Sequence, residues 1–170
     1  MPGEDLARRV RARGRQAPRV GRVPRPGVHL GRDRENVEAL QAVTYALAMQ
    51  HAPGFLKLVE DARTRIKEIS VDEARERLRQ NPGAILLDVR EDSEWQAGHA
   101  REAQHLGKGV LERDLEHLVP DPDTEIIMYC GGGYRSALTC DAAQKIGYRR
   151  VFSLIGGYKG LLNAGWPMSR

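Results

Sequence analysis

The sequence predicts an α/β protein, an open parallel sheet of about five strands with helices on both faces, preceded by a helical lead-in. Two observations carry this reading. From residue 67 onward, short apolar runs alternate with amphipathic stretches bounded by turn signals, the pattern of strands joined by helical crossovers. Within that pattern "AILLDVR" (84–90) is a continuous apolar run, as expected of a parallel strand buried on both faces. A chain of 170 residues suits one core with an appendage. Apolar residues make up 41% and charged residues 29%, a globular balance, and no stretch approaches the roughly 20 apolar residues of a membrane span.

The elements follow in order. Residues 1–32 are rich in Arg, Pro and Gly and lack apolar periodicity, so they are expected to be a disordered arm. Glu4, Asp5 and the absence of serine before residue 70 argue against a transit peptide. The lysine-free bias of this stretch also has the look of translated GC-rich DNA, and a second reading starts translation near Met49. Residues 33–67 form the helical lead-in, "DRENVEALQAVTYALAMQ" and then "FLKLVEDARTRIKE", with Phe55, Leu56, Val59 and Ala62 on one face that packs on the domain. The domain proper spans 69–169. "EIS" is a short strand. Ser70 caps the next helix, Glu73 completes a capping box, and Asn-Pro-Gly ends it. After "AILLDVR" come a short helix and turn in "EDSEWQAGHA", a short strand at "AQHL", a helix around "VLERDLEHL" and a turn at "VPDPDTE". The strand "EIIMYC", a helix from about Tyr134 to Ile146, the strand "RVFSL" and a helix after "IGG" complete the chain.

Charge narrows the function classes. Residues 1–48 hold ten arginines and five acidic residues, whereas the remaining 122 hold 17 basic and 18 acidic side chains. The folded body is therefore near neutral, with little counterion-release drive toward nucleic acid. No membrane partner is expected either. Two cysteines cannot build a disulfide framework, and the five histidines have no metal-ligand spacing, so no metal and no cofactor are expected. With no secretory h-region after Met1, a reducing cytoplasm is the expected location.

The chemistry concentrates in "CGGGYRS" (130–136). Ligands of open α/β folds bind at the carboxyl ends of strands, and Cys130 stands at such an end, before a helix N-terminus. Gly131, Gly132 and Gly133 can take positive φ, so that successive N–H groups, with that of Tyr134, turn toward the sulfur as an anion-binding nest. The helix end and Arg135 add positive charge, which favours thiolate over thiol and makes a nucleophile without a histidine base. Cys140, mid-helix among alanines, reads as a core residue. Asp88 and Arg90 read as a charge pair supporting the loop, together with Glu94. His99 is expected to bond the backbone, and Trp95 and Trp166 to lie in the core. Tyr134 either lines the pocket mouth or packs on the helix.

Three segments in order, "LLDVREDSEWQAGHA", "IIMYCGGGYRSALTCDAAQKIGY" and "VFSLIGGYKGLLNAGWPM", resemble a single rhodanese domain, and the loop fits that family's C-x-x-G-x-R-S form with Gly133, Arg135 and Ser136 in place. One segment departs: the family's Gly-His-Ile-Pro-Gly-Ala turn reads "GHAREAQHL" here. The resemblance implies ping-pong sulfur transfer. Cys130 would take sulfur from a small anionic donor such as thiosulfate and pass the persulfide sulfur to a thiol, cyanide or an acceptor protein. Residues 131–136 would bind the persulfide and the donor, and Arg135 would stabilise leaving sulfite. Two other classes stay open. One is a persulfide carrier or protein-interaction module without turnover. The other is a cysteine-dependent phosphatase, whose loop is generally C-x-x-x-x-x-R, one residue longer than the loop here.

Overall fold

A computed structural model of the protein describes residues 51–170. The arm, the first lead-in segment and the start near Met49 lie outside these residues. The described elements are α1 (Pro53–Arg63), β1 (Lys67–Ile69), α2 (Val71–Gln80), β2 (Ile85–Asp88), α3 (Asp92–Ala97), β3 (His99–Ala100) and β4 (Gln104–His105). A 3₁₀ turn (Lys108–Val110) then leads into α4 (Leu111–Leu118), β5 (Ile126–Tyr129), α5 (Tyr134–Lys145), β6 (Val151–Leu154), α6 (Gly157–Asn163) and β7 (Met168–Ser169).

Five strands form one sheet in the order β1-β6-β5-β2-β4, and every pairing in it is parallel. Parallel neighbours need crossovers, and the crossover helices cover both faces. The alternation of side chains along β5 sorts the core accordingly. Ile126, Met128 and Cys130 pack on one face with Leu111 and Leu115 of α4 and Cys140 and Ala143 of α5. Ile127 and Tyr129 pack on the other with Ala74 of α2, Leu161 of α6 and Trp166. Cys130 thus leaves the sheet on the α5 side.

Local chemistry sets the helix boundaries. Ser70 accepts the Glu73 N–H at 3.2 Å while the Glu73 carboxylate accepts the Ser70 N–H at 2.9 Å, the reciprocal cap that the sequence predicts. In α1 Val59 and Ala62 are buried and Phe55 and Leu56 half-buried, and this helix packs along α5. Arg65, just past α1, donates to Asp141 of α5 through Nε at 2.8 Å.

Two expectations are corrected. A two-stranded antiparallel pair, β3 with β7, joins the α3 turn to the C-terminus and carries no sequence signal of its own. Trp95 is not a core residue: it is half-buried, stacked on His99 at 3.5 Å between ring centroids and on His105 at 4.9 Å. A six-residue surface helix has too little inward face to bury an indole, so the imidazoles cover it instead. Trp166 does lie in the core, 5% exposed, with its indole N–H donating to Glu102.

Candidate active site

Cys130 directly follows β5, and α5 begins four residues later, so the loop between them has room for one tight turn. That turn brings the Gly133 N–H to the Cys130 Sγ at 3.2 Å, with the cysteine only 1% exposed. The donor is the N-cap residue of a 12-residue helix, so the buried sulfur stands at the positive end of the helix dipole.

The glycines divide the work differently from the sequence expectation. Of the three, only Gly133 has positive φ (+96°), and the N–H of this residue alone meets the sulfur. A Cβ at Gly133 would press on the Leu154 carbonyl oxygen at 3.3 Å, so the left-handed turn and the close approach to β6 both require glycine. Gly131 and Gly132 stay at ordinary φ. At Gly131 the close neighbour is a side chain instead: a Cβ there would stand 3.3 Å from the Arg135 guanidinium.

The loop is braced from below by residues that the sequence reading passed over. The Tyr158 N–H donates to the Cys130 carbonyl at 2.6 Å and the Lys159 N–H to the Gly131 carbonyl at 3.3 Å, so the first turn of α6 holds both carbonyls. Gly157 (φ +52°) makes this approach feasible: a Cβ there would fall far inside contact distance of the Cys130 carbonyl oxygen and 3.0 Å from the Gly132 nitrogen. The available signal was "IGGY", whose paired glycines are a close-approach pattern, but its target is 27 residues away in the chain.

Arg135 is held by acidic side chains. Its guanidinium makes a fork to Glu94, Nη1 to Oε2 at 2.5 Å and Nη2 to Oε1 at 2.8 Å, and Glu91 Oε1 lies 3.7 Å from Nη1. The Arg135 hydrogen bond holds the Glu94 carboxyl below its ordinary range, and the Glu94 bond raises Arg135. Behind this pair lies a second, more deeply buried one. Arg90 is 3% exposed and Asp88 0%. Arg90 donates to both Asp88 oxygens, the shortest contact being 2.6 Å, and to the Gly98 carbonyl at 2.7 Å. The Arg90 guanidinium also sits 4.0 Å over the Tyr158 ring. A buried ion pair locks geometry more than it stabilises, and here it ties the end of β2 to the turn that closes α3, the helix that presents Glu94.

The structure places Asp88 with Arg90 and Glu94 with Arg135 in two separate ion pairs, both tied to α3, the first at its closing Gly98 turn and the second through Glu94 itself. Two expected loop contacts point elsewhere. The Ser136 hydroxyl pairs with Ser153 at 2.9 Å, because the third residue of α5 faces the sheet. Tyr134 lies against His51 at 4.4 Å, with Phe55 and Arg63 also on its ring, and so packs on α1. His99 Nδ1 lies 3.1 Å from the Trp95 carbonyl, the backbone bond expected of it. Cys140 is fully buried in the core, and burial pushes its thiol well up.

The sequence model of the rhodanese-like domain matches residues 70–164, more than half of the chain. The chain belongs to the rhodanese-like family. Over 103 residues it is 36% identical to the thiosulfate sulfurtransferase GlpE of Haemophilus influenzae, covering 60% of this chain and 93% of that protein. The polysulfide-sulfur transferase homodimer of Wolinella succinogenes superposes with a TM-score of 0.60 at 26% identity, over 68% of this chain and 87% of that one. A Rhodopseudomonas palustris protein of unknown function, a possible tyrosine phosphatase, superposes with a TM-score of 0.61 at 24% identity, over 71% and 98% of the two chains. At that identity the last likeness is one of fold. The rhodanese-like module here is thus of the sulfurtransferase kind, with its cysteine at the strand end where ligands of open α/β folds bind. No helix among the described residues is long and apolar enough to cross a membrane.

Proposed function

We propose that the protein transfers a sulfane sulfur from thiosulfate, or a similar small anionic donor, to a thiol, cyanide or an acceptor protein through a persulfide on Cys130. The observation that carries this reading is the Gly133 N–H directed at the Cys130 sulfur at 3.2 Å, from the start of a helix and at the end of a central strand. The Cys130 thiolate attacks the outer sulfur of thiosulfate. An S–S bond forms to Cys130, the S–S bond within thiosulfate breaks, and its electron pair leaves with sulfite. The acceptor's lone pair then attacks the outer persulfide sulfur, and the Cys130 thiolate returns as the leaving group. No oxidant or cofactor enters either step.

The Gly133 amide would stabilise the anionic sulfur in each state, and Arg135 would meet the oxygens of the donor and of the departing sulfite. The six-residue span from Cys130 to Arg135 makes a tighter cradle than the longer phosphatase loop, which suits a sulfur anion better than a phosphoryl group. The H. influenzae relative is a thiosulfate sulfurtransferase and the Wolinella neighbour moves polysulfide sulfur, which supports the donor class proposed here. Thiocyanate formation from thiosulfate and cyanide by the wild-type chain, lost in Cys130→Ser, is the expected result. A one-sulfur adduct on Cys130 by mass spectrometry without thiocyanate turnover would point to a carrier instead.

A further inference from the structure

The arginine that would receive the donor's oxygens is already occupied. Glu94 engages both terminal nitrogens of Arg135, at 2.5 and 2.8 Å, and Glu91 stands 3.7 Å from one of them. Two parallel N–H to carboxylate bonds are the strongest geometry a guanidinium offers, and they fix its plane as well as its charge. The pair is half-buried, with side chains 27% and 36% exposed, so solvent screens it only in part. Glu91 also borders a cleft lined by Asp92 and Ser93 on its own side and by Gly107, Gly109 and Val110 on the other. The arginine of the neighbouring buried pair, Arg90, is bound to Asp88 and the Gly98 carbonyl. Arg135 therefore faces two carboxylates, Glu94 and Glu91.

On the proposed sulfur-transfer reading, we infer that Glu94 is a specificity-determining residue. Its carboxylate neutralises Arg135 and repels donors in proportion to their negative charge, so that the site disfavours dianionic thiosulfate relative to donors of the same shape with a single charge. Every donor with sulfonyl-type oxygens competes with Glu94 for Arg135, and that competition is common to all of them. What differs between donors is the repulsion, which grows with each added charge. A ratio of two donors isolates it.

The probe pair is thiosulfate and methanethiosulfonate, in which a methyl group replaces one charged oxygen. Glu94→Gln removes the charge while leaving an amide oxygen able to accept the Glu91 N–H, the bond that caps α3. Affinities for both probes are measured by calorimetry in Cys130→Ser, where no transfer takes place, with and without Glu94→Gln. KM values for both donors with cyanide are measured in the cysteine-bearing chains. We expect the preference for thiosulfate over methanethiosulfonate to rise about tenfold when Glu94 loses its charge, the order of effect of one unit charge within about 4–6 Å. Near-UV circular dichroism of each variant matching that of its parent establishes that the fold is kept. Should Glu94→Gln unfold, Glu91→Gln, which removes the second carboxylate at 3.7 Å, carries the test with the same sign and a smaller factor.

An unchanged affinity ratio in the Cys130→Ser background overturns the assignment of Glu94, whatever the turnover data show. Wild-type chains that transfer no sulfur from either donor overturn the sulfur-transfer reading instead, while the binding ratio still decides the electrostatic role of Glu94.

Discussion

Cys130 and Cys140 lie ten residues apart on either side of the start of α5, are 1% and 0% exposed, and belong to the same core cluster. Burial does not distinguish them. What differs is the polar surrounding of each sulfur. Cys130 meets a backbone N–H at the positive end of the helix, and its carbonyl is held by the first turn of α6. Cys140 sits two turns into the same helix, where the backbone donors are spent on the helix itself, and burial foremost, then the nearby Glu68 carboxylate, raises its thiol. The two sulfurs thus differ by their position along the helix.

The most direct way to break that contrast is to exchange the residues' fates. Cys130→Ser is expected to remove at least about a thousandfold of sulfur transfer, since a hydroxyl cannot form the persulfide. Cys140→Ala, measured in the same thiocyanate assay, is expected to retain the wild-type rate and to cost roughly 1 kcal/mol in a urea titration, the loss of one small buried group. Comparable activity losses in the two variants would mean that Cys140 takes part in the transfer.

The second test concerns the brace beneath the loop. Gly157 and Gly147 both have positive φ, +52° and +108°, but a Cβ at Gly157 would run into the Cys130 carbonyl while one at Gly147 would meet nothing within 4 Å. Gly147→Ala carries only the backbone penalty, about 1 kcal/mol. Gly157→Ala adds a displaced carbonyl and should cost about 2–4 kcal/mol, with a loss of transfer rate that persists under conditions where the variant is fully folded. Urea midpoints and rates of the two variants side by side check this, and equal behaviour would dismiss the brace.

The contrast between local and distant contacts also explains what was legible in the sequence. The Ser70–Glu73 capping box, the apolar run of β2 and the cysteine at the end of β5 are written in residues a few positions apart, so pattern and chemistry coincide. The Arg135–Glu94 fork joins residues 41 apart, and the Gly157 approach to Cys130 crosses from one βα turn to another. Nothing in either segment alone specifies such a meeting; it follows from β5 and β6 being neighbours and from α3 closing over the end of β2. The β3–β7 pair is two residues long on each side, too short to hold a period, and so left no trace.

The smallest expected effect lies at the far end of α5, where the carboxylate is structural. Asp141 is 10% exposed in its side chain and accepts Arg65 at 2.8 Å and Lys145 at 2.7 Å, and these contacts, that of Arg65 foremost, hold its carboxyl down at about 2. A folded value below the unfolded one of about 3.9 means that the unfolded chain binds the proton more readily. The stabilisation is therefore complete above about pH 4 and is lost as the pH falls toward 2. Arg65 is 42% exposed, so solvent screening leaves about 1 kcal/mol for Asp141→Asn at neutral pH. Unfolding free energies from urea titrations of the wild type and Asp141→Asn should differ by that amount at pH 7 and converge between about pH 4 and pH 2, with transfer rates at neutral pH unaltered. A gap that stays constant down to pH 2 would assign the cost to packing, and a reduced transfer rate would mean that the two ends of α5 are coupled and that the tether of α1 to the helix reaches the sulfur.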